Sequence, residues 1–322
     1  MAHALAAMDY LKRFPTPFEL GADHPSAQEA VVECVIVEPR CMPELRCVLG
    51  NISYMMPNAA VTIFHSKENA DVVTAATWDT GIRTICMFDG NIDIAGYNKL
   101  LTSPEFYTKL SSPHSLIFQT DSGIFANRIL RFLEYDYVGA PWPWVAKNGG
   151  VAAVGNGGLS LRNRELCEKI CKERSPGAPT GPEDLYFAEQ MRKRGANVPS
   201  VDIASSFSVE HSYHPDPMGF HQAYRFHPSL VVNKWYSSVP SQIDQCPHEY
   251  DKVLDAWFIT ETGYIQNAPQ NLKTWLSAGV GPQGLTIPKG TRIPGAPSGP
   301  CKLCVQMREE LHKFALLSNY TL

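Results

Sequence analysis

Between residues 31 and 200, hydrophobic and polar positions alternate between short β-branched runs and amphipathic stretches, the pattern of successive βαβ units. Residues 31–37 are near-continuously apolar, interrupted by Glu33, and predict a buried first strand. Over 44–54, Leu45, Val48, Leu49 and Ile52 share one helical face. Runs at 59–64 and 84–88 predict two more strands, and 115–119 a fourth that leads straight into Thr120, Asp121 and Ser122. A helix is expected over 97–110 with a break or fresh start at Pro104, whose ring and missing N–H do not fit a helix interior. A short helix at 126–134, an extended piece at 137–140 and a strand at 159–161 that leads into a helix reaching Lys172 come next. Pro182, Glu183 and Asp184 then open a helix that ends near Arg194. Helical periodicity fades after Val209. Half of residues 281–300 are Pro or Gly, an irregular connector, and 301–318 places Leu303, Met307, Leu311 and Phe314 on one face of a final helix expected to dock back on the body.

Composition narrows the picture. A chain of 322 residues that is 44% hydrophobic and 19% charged can bury a substantial core and does not read as disordered or coiled-coil. The net charge of −4 supplies no positive field for a phosphate polymer, so nucleic acid is not an expected partner. No apolar run has membrane-spanning length and no signal-type leader opens the chain, so a soluble, cytoplasmic protein without a membrane span is the expectation. Nine scattered cysteines read as reduced core residues rather than a disulfide framework, and the sequons at Asn51 and Asn319 are expected to be uninformative.

The sharpest local chemistry is Asp121, at the carboxyl end of the fourth strand, where ligands of open α/β sheets sit. Its carboxylate can hold a divalent cation that neutralises phosphates, or simply cap the following turn. Gly155-Asn156-Gly157-Gly158 permits close backbone approach to a ligand, yet such a loop is as often a plain turn. Glu183-Asp184 offers a general base or a helix-start pair of acids. His211, His214, His221 and His227 can supply a metal ligand or pack, and the Pro-flanked Trp142 and Trp144 can form a sugar-stacking platform or a core cluster. Cys301 and Cys304 are only half a zinc site and read as packed cysteines.

Taken in order, these segments resemble a single family. Its motifs are Val35-Ile36-Val37-Glu38-Pro39-Arg40, Ile63-Phe64-His65-Ser66-Lys67-Glu68-Asn69, Tyr97-Asn98-Lys99-Leu100-Leu101, and Ile117-Phe118-Gln119-Thr120-Asp121-Ser122. They continue through Gly139-Ala140-Pro141-Trp142, Gly155-Asn156-Gly157-Gly158-Leu159-Ser160-Leu161-Arg162, Pro182-Glu183-Asp184 and Phe207-Ser208-Val209-Glu210. The family is catalogued largely as a domain of unknown function in microbes, fungi and large viruses, and is similar to GT-A-type glycosyltransferases. The resemblance spans 31–227, leaving an N-terminal segment at 1–30 and a C-terminal extension at 228–322.

The resemblance implies a GT-A-like, Rossmann-like sheet and a metal-dependent glycosyltransferase. It would move a sugar from a nucleotide-diphosphate donor, a UDP-sugar, to a glycan or glycoconjugate hydroxyl with inversion. Mn²⁺ or Mg²⁺ would be held by Asp121 and His221. Asp184 would act as base, with Glu183 as substitute. Glu38 and Arg40 would lie near the nucleotide, Gly157, Gly158 and Arg162 near the donor or acceptor sugar, and Trp142 and Asn156 on the substrate side. Gln119 stands where the usual metal-binding motif has its first acid. That departure leaves open a non-catalytic glycan-binding or structural protein on the same fold, and a retaining transferase is the other alternative.

Overall fold

The computed structural model describes residues 24–42, 44–77, 80–142, 154–174 and 181–223, with a small strand pair at 280–281 and 285–286. The central sheet contains β1 (Val32–Val37), β2 (Ala60–Ser66), β3 (Arg83–Phe88), β4 (His114–Phe118), β6 (Tyr137–Gly139) and β7 (Leu159–Asn163) in the order β3-β2-β1-β4-β7-β6. The first four strands pair in parallel, while β7 runs antiparallel between β4 and β6. The chain winds one way from β1 through β2 to β3, then returns to place β4 on the other side of β1. Strand order therefore reverses between β1 and β4, where an open α/β sheet leaves a crevice at its carboxyl edge.

Helices cover both faces of the sheet. On one side Cys34 and Ile36 pack with Leu45, Val48 and Ile52 of α1 (Glu44–Met55), Val73 and Ala76 of α2 (Ala70–Thr77), and Phe207 of α7 (Val201–Phe207). On the other side Val35 and Val37 meet Leu101 of α3 (Ile94–Leu101), Phe106 and Tyr107 of α4 (Pro104–Tyr107), Ile170 of α5 (Arg164–Lys172), and Phe187 and Met191 of α6 (Glu183–Lys193). Every residue of β1 is buried. Glu33, the polar interruption in that strand, accepts hydrogen bonds from Thr62 Oγ1 at 2.5 Å and from the Ser111 amide at 2.9 Å, which offsets its burial. Pro104 sits in the first turn of α4 behind the cap Ser103, so the expected 97–110 helix is two helices.

A second, three-stranded sheet lies over the carboxyl edge: β5 (Ser122–Ile124), β9 (Gly219–His221) and β8 (Ser208–Val209), in the order β5-β9-β8. Asn51 ties it to α1, its side chain donating to the Ile124 carbonyl at 2.9 Å and accepting from the Ile124 amide at 2.7 Å. Neither this sheet, nor α2, nor α7 was anticipated, and the helix expected at 126–134 is a single 3₁₀ turn at Ile129–Phe132. The C-terminal helix expected at 301–318, Trp144, His227 and the N-terminal segment before residue 24 lie outside the described residues. Among the described residues no helix is long and apolar enough to cross a membrane.

Candidate active site

Asp121 stands three residues past the end of β4, and β9 brings His221 opposite Ser122. The two side chains meet at the carboxyl edge, His221 Nε2 lying 3.3 Å from Asp121 Oδ1 and 3.1 Å from Gln119 Oε1. Gln222 closes the other side of Asp121, its side chain donating to Oδ2 and its amide to the Asp121 carbonyl at 3.0 Å. Gln222 also has φ of 49°, the one positive φ at a non-glycine residue among those described. Strained backbone of this kind persists where surrounding contacts over-determine it, here the double grip on Asp121.

Acid surrounds this pair. Glu210, at the end of β8, lies with Oε1 3.6 Å from His221 Nδ1, and Asp184 at the start of α6 is close enough to bias the same imidazole. Burial disfavours the charged form of His221, but the carboxylates of Asp121, Glu210 and Asp184 more than offset it and hold the ring above its ordinary value. For Asp121 burial pushes the carboxyl up, and the charge and hydrogen bond of His221 together with that of Gln222 bring it below the ordinary range. Burial lifts Glu210 above its usual value despite the nearby histidines. Three carboxylates facing one imidazole leave a site with net negative potential.

The donor chemistry suits a divalent cation. Two neighbouring ligands of one such ion, each bound at ~2.1 Å, stand roughly 3.0–3.5 Å apart, and Asp121 Oδ1 and His221 Nε2 are separated by 3.3 Å. Among the described residues no group of three His, Cys, Asp or Glu converges on a metal position. Mg²⁺ commonly binds through no more than one or two protein side chains.

The glycine-rich loop belongs to this site, though in another way than the sequence suggested. A Cβ on Gly158 would lie 2.2 Å from His221 Nε2, and one on Gly157 2.2 Å from Glu183 Oε1. The two glycines make room for protein side chains rather than for a ligand. Asn156 is likewise spent within the protein: Nδ2 donates to Glu210 Oε2 at 2.6 Å and Oδ1 accepts from the Gly158 amide at 3.0 Å.

Three further expectations are corrected. Arg162 is fully buried, gripped by Glu183 through bonds of 2.8 and 3.1 Å, with its guanidinium 5.2 and 5.3 Å from the centroids of the Tyr137 and Phe187 rings. It cannot reach a sugar from there, and Glu183, whose two oxygens it occupies, is removed as a base. Trp142 is buried in the core rather than presented as a platform. Asp184 differs from its neighbour. It is partly exposed, and its carboxylate spans from the Leu185 amide, 2.8 Å from Oδ1, to the Gly157 amide, 3.2 Å from Oδ2. Each oxygen keeps a further lone pair for a proton.

Glu38 and Arg40 leave the carboxyl end of β1, beside β4. Glu38 is buried and binds the Arg40 Nε and Nη2 at 2.8 and 2.7 Å, leaving the half-exposed guanidinium as the member able to meet a ligand. The Asn69 side chain donates to the carbonyls of Glu38 and Arg40, fixing the loop. Glu210 and Gln222 are the site residues that sequence reasoning passed over. The end of Phe207-Ser208-Val209-Glu210 and the residue after Gly219-Phe220-His221 were the available signals.

Residues 84–221 match a family model described as "Protein of unknown function (DUF5672)", a span that includes Asp121, the glycine-rich loop, Asp184, Glu210 and His221. No curated relative matches the chain. Similar solved structures include a mannosyltransferase from Pyrobaculum calidifontis in complex with GDP-Man and Mn²⁺, at 15% identity over 99% of this chain and 95% of that one, TM-score 0.40. They also include the Q189E active-site mutant of LgtC (10% identity, 66% and 98% covered, TM-score 0.41). A third is a 4-diphosphocytidyl-2C-methyl-D-erythritol synthase from Anaerococcus prevotii DSM 20548 (10%, 52% and 86%, TM-score 0.34).

Proposed function

We propose that this chain is a metal-dependent glycosyltransferase using a nucleotide-diphosphate sugar, specifically a UDP-sugar, and a glycan or glycoconjugate hydroxyl as acceptor. The observation that carries the reading is the Asp121–His221 pair at the strand-order reversal, two metal-type ligands 3.3 Å apart with the Glu210 and Asp184 carboxylates nearby. Asp121 and His221 would hold Mn²⁺ or Mg²⁺, and Gln119 can add a neutral oxygen. Such an ion supplies neutralisation of the developing charge on a departing diphosphate. Arg40, steadied by Glu38, is suited to the nucleotide end of the donor.

Asp184 is the general base. It accepts the acceptor hydroxyl's proton as that oxygen forms its bond to the anomeric carbon and the bond from that carbon to the diphosphate oxygen breaks, giving inversion. The amides of Gly157 and Leu185 hold the carboxylate in place. Although Gln119 lacks charge, Glu210 and Asp184 supply negative potential around His221, which favours a working cation site over a fold that has lost turnover. The test is incubation with a panel of nucleotide sugars and Mn²⁺. Release of nucleotide, abolished in Asp121→Ala and strongly reduced in Asp184→Asn, is expected; no release and no donor-dependent rise in melting temperature would overturn the reading.

A further inference from the structure

We infer that Glu210 is a positioning residue that favours the His221 proton on Nδ1 when a cation occupies Nε2. The inference rests on the cation-site reading above and follows from a chain of donors and acceptors. The Gly158 amide can only donate, and it points at Asn156 Oδ1 at 3.0 Å. That bond sets which end of the Asn156 carboxamide is oxygen, so Nδ2 must be the atom directed at Glu210 Oε2, 2.6 Å away. A side chain at position 210 is thereby required to accept on that side.

The second Glu210 oxygen faces His221 Nδ1 at 3.6 Å, too far for a hydrogen bond. His221 Nδ1 is one of the buried polar atoms without a hydrogen-bond partner among the described residues. Nε2 also faces acceptors, Gln119 Oε1 at 3.1 Å and Asp121 Oδ1 at 3.3 Å, so it is a cation on Nε2 that displaces the proton there and leaves the imidazole N–H on Nδ1, the side where the Glu210 carboxylate offers only acceptors. On Glu210's other oxygen, His211 Nδ1 also stands at 3.6 Å. With His221 protonated on Nδ1, the Nε2 lone pair converges with Asp121 Oδ1 and Gln119 Oε1, an arrangement that a cation satisfies. Histidines that bind metals commonly donate their second N–H to a carboxylate, which orients the ring and raises its basicity. The glycine-rich loop thus acts on the cation site through Asn156 and Glu210.

The test compares wild type, Glu210→Gln and Glu210→Ala. The readouts are the His221 tautomer, from ¹⁵N NMR of histidine-labelled protein at alkaline pH with the diamagnetic Mg²⁺ present at one fixed concentration, and Mn²⁺ affinity, from an EPR titration without nucleotide. Gln is nearly isosteric, but its oxygen must face Asn156, which turns its NH₂ toward His221 Nδ1 and demands a lone pair there. Glu210→Gln is therefore expected to move the proton to Nε2 and weaken Mn²⁺ binding by about 10- to 100-fold, at least as much as Glu210→Ala. A packing role gives the opposite order, with Glu210→Gln like wild type and Glu210→Ala impaired, and that result overturns the inference. If Glu210→Ala fails to fold, the near-isosteric Gln variant decides alone: an unchanged tautomer and affinity overturn the inference while the cation reading stands. A wild type that binds no Mn²⁺ overturns both.

Discussion

Gly158→Ala puts a methyl group into the centre of the site. Its Cβ would lie 2.2, 2.3 and 2.4 Å from His221 Nε2, Cδ2 and Cε1, where ordinary contact begins at 3.4 Å, so ring or loop must move by about 1 Å. The loop is held on both sides, since the Gly158 carbonyl accepts from Ser122 Oγ at 2.6 Å and its amide donates to Asn156. The imidazole is therefore the part that yields. Overpacking of this size costs about 1–3 kcal/mol, or roughly 3–10 °C in melting temperature for a domain of this size. A ~1 Å displacement of a ligand to the cation predicts about a 100-fold loss of Mn²⁺-dependent donor turnover. Scanning calorimetry and nucleotide release measure the two effects. Gly181→Ala, where a Cβ meets nothing within 4 Å, is the control. A Gly158→Ala protein with wild-type melting temperature and turnover would refute the packing argument.

Arg162→Met strands Glu183 in the core and should cost about 3–5 kcal/mol in urea denaturation, because removing one member of a buried pair leaves the other uncompensated; no loss would mean the pair is not what holds α6 to β7. Asp184→Asn should lower transfer by at least ~100-fold while Mn²⁺ affinity stays at the wild-type level, and full transfer would remove Asp184 as base. Asn51→Ala frees both Ile124 backbone groups and should destabilise by about 2 kcal/mol, read from the denaturation midpoint. Burial lowers the His24 pKa below its ordinary value, so the unfolded chain takes up that proton first. His24 therefore contributes stability above about pH 6.5 that is lost as pH falls through its folded value. Denaturation midpoints taken at about pH 7.5 and 5 should differ less in His24→Gln than in wild type, and an equal slope would contradict this assignment.

The parallel half of the fold was legible because its strands are apolar runs and its helices carry a one-sided stripe: Val32–Val37 and the Leu45, Val48 and Ile52 face are unambiguous. The small sheet was not, because β5, β8 and β9 have two or three residues each and too few positions to show a period. Asp121 and His221 could be named from the end of a strand and a Gly-Phe-His sequence, but their approach depends on β5 and β9 pairing 97 residues apart along Gly219–His221 and Ser122–Ile124. Arg162 and Glu183 misled for a physical reason. Charged residues beside glycines look like ligand contacts, whereas here they neutralise one another behind the site, and only the fold brings them together. The polarity of Asn156 and Glu210 is set by one backbone N–H, a feature that composition and spacing do not encode.

The central claim is a cation held by Asp121 and His221 for a nucleotide diphosphate, and isothermal titration of UDP into wild-type, Asp121→Ala and His221→Ala proteins, with and without Mn²⁺, tests it most directly. The account predicts UDP binding to the wild type that requires Mn²⁺ and is lost in both variants. Binding that persists without Mn²⁺, or that is unchanged in Asp121→Ala, would contradict it.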